Sequence, residues 1–413
     1  MKTKILFLLA IMLLLFACSN KATSPKTNDL LSINNDSDQL SGRIIHKNQV
    51  IDLHSIDGKR VVNSRDYTFT LIGELQPPTT VAGVDLRATH IFINGNYAYV
   101  TYNKEGDVFA GGIDMINITF PDMPYVVSEG LSDFIDISSV TADYQTNKIY
   151  LGAAINPDLY PQVNTPAAIL EIPIYSWSMT DVTNVTDLPS WCTNSIIGAQ
   201  GYVFATTGNA FGNGEVGGVF ALSTDPANYM QIIDSDRFNN AQYLDVEGIR
   251  VAAIEGGANA KLHLYNIGDD DTDSEPQINL GSIEPVDGKN TVKIKNGIAY
   301  VALGENGMKA FDAYNVSDTP IYSLPKPTVP EGGVSTDYIT NAVSADNDFV
   351  YLANGAGGLY VAQIPDNTND NLTILGTMEF GSSANYVQAC ENLIFVASGT
   401  GGIKIIQRCP RKK

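Results

Sequence analysis

Four asparagines open four similar segments of this chain: Asn194, Asn290, Asn341 and Asn385. A side-chain amide both donates and accepts hydrogen bonds. Amides ringed at one level of a fold would hold water, an ion or a small polar ligand, or would cap backbone groups of the neighbouring unit. Thr89, Val140 and Ala241 take the same place in related segments. A second group sits in three long interruptions of the pattern: Tyr102, Phe109, Asn156, Tyr160, Asn209 and Phe211. Aromatics among amides and carboxylates suit a sugar ring or a protein surface. A third group, Asp269, Asp271 and Asp273, alternates along an acidic run and offers oxygens to calcium. That run lacks the glycine and the closing glutamate of a calcium-binding loop, and Leu280 stands where the glutamate belongs. It reads as a solvated acidic turn, so no cofactor is expected, with calcium as the weaker alternative.

The elements that would position these groups are strands. Asn290–Val301 holds a strand, an Asn-Gly turn and a second strand with Tyr300 near its centre. The same hairpin recurs from Asn194, Asn341, Asn385 and His90, and more loosely from Ser139 and Gln242. Gly, Asn and Asp tolerate the positive φ that such tight turns need. A third strand follows, often opened by a glycine pair (Gly111-Gly112, Gly217-Gly218, Gly357-Gly358, Gly401-Gly402), and a weaker fourth closes most units. Units recur about every 44–54 residues, which suits the four-stranded blades of a β-propeller. The expected fold is all-β: a seven-bladed propeller of four-stranded antiparallel blades over residues 67–409. The last unit has three strands. Tyr67–Leu75 resembles its missing fourth and is expected to complete that blade, closing the ring without exposed edges.

From Tyr300 to Gly307, Tyr351 to Gly358 and Phe395 to Gly402 the connection is short and of equal length. In the first three blades it is longer by about 6–11 residues. Insertions within a repeat gather on one face, often the binding face. Unselected drift in surface loops would give the same lengths. The asparagine level is expected on the same side.

The hairpins, the glycine-pair strands and the trailing prolines of Asn117–Pro124 and Asn315–Pro320 resemble the LVIVD-repeat propellers of bacterial surface and secreted proteins. The resemblance spans Tyr67 to Arg408 and implies architecture. It carries no catalytic residues.

Lys2 and Lys4 precede an apolar run, Ile5–Phe16, too short to span a bilayer. The run ends Leu15-Phe16-Ala17-Cys18, which resembles a bacterial lipobox. Residues 1–17 are expected to be a signal peptide and Cys18 a lipidated (palmitate-bearing) residue. Residues 18–41 read as a polar tether and 42–66 as a short pre-domain segment, a hairpin or a cover. The net charge of −20 argues against nucleic acid and against an anionic membrane surface, leaving the lipid anchor as the membrane contact. Cys390 and Cys409, on non-neighbouring strands, are expected to stay unpaired.

The function expected from these features is non-enzymatic: a lipid-anchored protein of the bacterial outer membrane and envelope that binds a glycan, peptide or protein partner. The histidines, His46, His54, His90 and His263, are scattered, and no nucleophile elbow or phosphate loop occurs. The alternative is a lactonase-like propeller hydrolase with a metal at the channel mouth. It would need one of the four asparagines to share a site with Asp143 or Asp346.

Overall fold

A computed structural model describes residues 29–56, 61–62, 67–143, 145–208, 216–268, 276–283, 289–367 and 370–410. Two-residue turns set the hairpins. Gln200-Gly201 and Asn296-Gly297 have φ of 50° and 86°, and of 52° and 75°. These are the positive values that match the twist of the flanking strands. Each innermost strand then pairs antiparallel with the second, the second with the third, and the third with the fourth.

Seven such sheets form. Their innermost strands are Arg87–Asn94, Ile135–Asp143, Thr193–Ala199, Ala241–Glu247, Val292–Lys295, Ala342–Ala345 and Tyr386–Cys390, and each touches the next around a closed circle. This is a seven-bladed β-propeller. Both faces of every blade pack on a neighbour, so the recurring aromatic of the second strand is sealed in. Tyr99, Tyr150, Tyr351 and Phe395 are 0% exposed and Tyr300 is 1%. Each such burial contributes roughly 2–3 kcal/mol.

Neighbouring blades are also sewn together by hydrogen bonds. A side chain on one innermost strand accepts a backbone N–H from the next strand. The pairs are His90 with Val140, Thr141 with Gly198, Ser195 with Leu244, Asp245 with Ile294, Thr291 with Val343, and Ser344 with Ala389. Hydroxyls recur at these positions because a buried N–H must find a partner.

The ring closes as expected. Tyr67–Leu75 pairs with Ile403–Pro410, with Leu75 opposite Ile403 and Tyr67 opposite Pro410. The domain nevertheless begins earlier than residue 67. Ser32–Asn34, placed by sequence in the tether, adds an outer strand to blade 1 opposite Glu129–Leu131. Leu30, Leu31 and Leu40 are buried beside it. Ile44–Ile51, placed by sequence in the pre-domain segment, adds an outer strand to blade 7, and Leu53–His54 adds one to blade 6. Residues 29–54 thus form a belt over the outer edges of blades 1, 7 and 6. Arg43 pins it, donating 2.8 Å to Asp114, which is fully buried, and also pairing with Glu129.

Cys192, Cys390 and Cys409 are free, and Leu393–Ala397 separates the strands that carry the last two. No helix among the described residues is long and apolar enough to cross a membrane. The signal segment and Cys18 lie outside the described residues.

Candidate functional site

The innermost strands all start at one end of the channel. Antiparallel pairing puts the connections between second and third strands at that same end, as in blade 1, where Arg87 lies opposite Asn103 and Asn103 opposite Gly111. The long connections of blades 1 and 2 therefore rise around the channel mouth, while most of the blade 3 connection lies outside the described residues. A cavity of about 610 Å³ opens there. It falls within the roughly 300–1,000 Å³ of small-molecule sites.

Three of the four asparagines line this cavity: Asn194, Asn341 and Asn385. Asn194 donates from Nδ2 to the carbonyl of Ala241 on the next blade at 2.7 Å, which is a capping role. Asn385 accepts from Ser383 Oγ at 2.7 Å. Asn290 does not reach the cavity. It is 1% exposed with φ of 44°, and its neighbour Lys289 takes its place at the mouth. The amide ring expected from the sequence is thus three amides and an ammonium.

Several loop aromatics are corrected by packing. Tyr102 is 0% exposed and donates to Asp114 Oδ2 at 2.7 Å, so it braces the Arg43–Asp114 pair and faces no ligand. Tyr160 is buried in the apolar core of blades 1 and 2 beside Val163, anchoring its own loop. Asn156 is half-buried and accepts the N–H of Asp158, closing a turn. Phe109 is likewise half-exposed in its loop. Asn209, Phe211 and the acidic run Asp269, Asp271 and Asp273 lie outside the described residues. Exposed apolar tips on this face, among the described residues, include Val81, Val108, Leu159, Trp191 and Val334, none of which the spacing of aromatics had marked.

The cavity also holds groups that the sequence reading missed: Arg87, Asn103, Ser138, Cys192, Gln242 and Tyr243. Below the mouth, three rings plug the channel. His90 lies 4.6 Å from Tyr386 and 6.0 Å from Tyr243, and the two tyrosines are 6.0 Å apart. Lys289 Nζ sits 5.9 Å from both tyrosine centroids. Burial, reinforced by Arg87, pushes the Lys289 ammonium down to about 7. Burial, with Lys289 nearby, pulls His90 down to about 3, so its imidazole is neutral. Burial raises the Cys192 thiol to about 12, which leaves it a poor nucleophile. On the innermost strand of blade 2, Asp136 accepts the N–H of Ala110 at 3.1 Å, yet burial still raises it to about 7.

The metal arrangement weighed from the sequence is not assembled. Asp143 and Asp346 lie at the far ends of their innermost strands, away from the asparagine level. Asp143 caps its turn through Gln145 and Thr146, and Asp346 pairs with Arg408 at 2.7 Å. Among the described residues no three His, Cys, Asp or Glu side chains gather as a metal site. The face opposite the mouth carries an apolar patch of its own on blades 1 and 2: Phe120, Met123, Tyr125, Tyr175 and Trp177, with Trp177 stacked on Tyr97 at 6.1 Å.

No family model matches the sequence, and no curated protein matches it. Solved propellers do match the fold. The structure of U3-55K aligns with a TM-score of 0.57 at 10% identity, over 80% of this chain and 100% of that one. The WD40 repeats of RRP9 align at 0.56 and 10% identity, over 88% and 100%. BamB from Moraxella catarrhalis aligns at 0.51 and 11% identity, over 82% and 99%. At these identities the likeness is one of fold alone: the chain is a seven-bladed β-propeller.

Proposed function

We propose that this chain is a non-enzymatic envelope lipoprotein, held to a bacterial membrane through acylated Cys18, whose propeller binds a glycan, peptide or protein partner at the mouth face. One observation carries the reading: a polar cavity opens beside the long loops of two adjacent blades, with exposed apolar tips on the same face. Rigid scaffolds with decorated loops on one side bind in this way.

Capture from envelope extract and on glycan arrays, using residues 19–413, tests it. Val108→Asp with Leu159→Asp should abolish capture at an unchanged melting temperature. Deleting the whole loops is a poorer experiment, because Tyr160 and Val163 are core residues. Trp177→Asp on the opposite patch should leave capture intact. Capture that survives the loop variants and dies with Trp177→Asp would move the function to the other face. For the address, Cys18→Ala should shift the protein to the soluble fraction. The reading needs neither metal nor cofactor. Stoichiometric calcium in purified protein, or turnover across a lactone panel, would replace it with the hydrolase.

A further inference from the structure

The channel mouth runs against the charge of the molecule. The chain carries a net charge of −20. Yet the described residues lining the cavity include two cations, Arg87 and Lys289, and no carboxylate. Arg87 is held at the rim by Glu105 at 2.5 Å. Lys289 has no carboxylate partner among the described residues, and its Nζ stands over the Tyr243 and Tyr386 rings. Tyr243 is 6% exposed, lines the same space, and its hydroxyl has no hydrogen-bond partner among the described residues; the same holds for Asn103 Oδ1. Buried polar atoms are satisfied in nearly all folded proteins. A cation without a carboxylate partner lining the cavity, and a buried unsatisfied hydroxyl on a tyrosine that lines it too, mark a place for a ligand's polar atoms.

We propose that this cavity binds an acidic sugar, a uronic acid as a monosaccharide or at the end of a short chain. Lys289 and Arg87 take the carboxylate. Asn194, Asn341 and Asn385 supply amides to the ring hydroxyls, and Tyr243 supplies an aromatic floor. The proposal rests on the mouth face being the binding face and names its ligand class. A carboxylate between the two cations relieves their mutual repulsion and the desolvation of the ammonium, the two causes that hold Lys289 at about 7. Charge-assisted hydrogen bonds are roughly twice as strong as neutral ones, so the acid group should dominate affinity. A phosphate alone would leave the amides and the aromatic floor unused.

Titration calorimetry on residues 19–413 tests this with glucuronate, galacturonate, digalacturonate, glucose and inorganic phosphate. An acidic sugar should bind at pH 6.5 with a Kd of about 1 mM or tighter, and glucose at least about tenfold more weakly. Lys289→Met should cost the acidic sugar about tenfold or more, and Lys289→Arg should keep most of the affinity. Arg87→Gln, should the Met variant misfold, is expected to act in the same direction. Equal binding of glucose and glucuronate, phosphate binding as tightly as the acid sugars, an unchanged Lys289→Met, or no binding at all would each overturn the proposal. Val108→Asp with Leu159→Asp should leave uronate binding unchanged. Capture of a macromolecular partner without uronate binding would therefore overturn this inference and leave the mouth-face reading standing.

Discussion

Blades 5–7 and blades 1–3 solve the same connection differently. In blades 5–7 the second and third strands are joined by one repeated turn. The N–H groups of Leu303, Asn354 and Ser398 donate to the carbonyls of Gly307, Gly358 and Gly402 at 2.8, 2.9 and 2.7 Å. The next glycine in each turn bridges by backbone to the following blade: Gly304 to Thr340, Gly355 to Ala384, Gly399 to Ala88. In blades 1–3 side chains make the inter-blade contact, through Asp136 to Ala110, Ser138 to Thr193 and Asn194 to Ala241. A backbone stitch fixes loop length and demands glycine. A side-chain stitch leaves the intervening residues free. One arc of the ring is scaffold and the other is display.

The largest test of that contrast is a pair of glycines. Gly402 has φ of 73°, and a Cβ there would lie 2.1 Å from the carbonyl oxygen of Leu75 on the closing strand. Gly402→Val should cost about 4 kcal/mol or more in urea denaturation. Gly106, in the long loop of blade 1, has φ of 96° with open space around it. Gly106→Ala should cost only about 1–2 kcal/mol. Equal costs would erase the distinction between the arcs.

A smaller effect comes from Asp136, which belongs to the display arc alone. Its folded value of about 7 lies above the ordinary carboxylate value near 3.8. The folded state therefore holds more protons than the unfolded chain between about pH 4 and 7, and stability falls as pH rises through that window. Asp136→Asn should flatten the slope, a change of about 1–2 kcal/mol in a pH series of melts. An unchanged slope would mean that the carboxyl is well solvated.

The smallest is a binding profile. Uronate affinity should weaken severalfold from pH 6 to 8.5 as Lys289 loses its proton. The titratable groups facing Lys289 lie outside that range: His90 is held near 3, the Cys192 thiol near 12, and the Tyr243 and Tyr386 hydroxyls above their usual value. Asp136 ionises in the same range, and its growing charge acts in the same direction on an anion, so Asp136→Asn separates the two. A flat profile in that variant would remove Lys289 from the ligand.

The ring was legible in the sequence because its determinants are local and repeated. Turn residues, glycine pairs and the second-strand aromatic mark each blade, and Tyr67–Leu75 carried enough of the fourth-strand pattern to be matched to blade 7. The belt was legible only in part: 42–66 reads as a hairpin or cover, but the strand Ser32–Asn34 does not stand out, because its three residues sit in a polar stretch and are too short for their alternation to announce a strand. Tyr102 and Tyr160 were read as loop aromatics facing outward, but packing on both sides of each blade takes such rings inward. Lys289 does not stand out in the sequence because its neighbour Asn290 fits the repeat, whereas in the fold Asn290 has a φ of 44° and is buried and the lysine lines the mouth.

The closing strand carries a consequence for the order of assembly. Lys404 reaches Glu74 at 2.7 Å across 330 positions of chain. Long-range pairing of this kind is slow to form. Blade 7 cannot be completed until nearly the whole polypeptide has been made and delivered to wherever it folds. Until then Tyr67–Leu75, one of the earliest strands to emerge, waits with an open edge. The belt strand Ile44–Ile51 covers the opposite edge of that strand, so that only the edge awaiting Ile403–Pro410 is open in the interval. A truncation that removes residues 29–54 should therefore slow refolding and raise aggregation more than it lowers the final melting temperature.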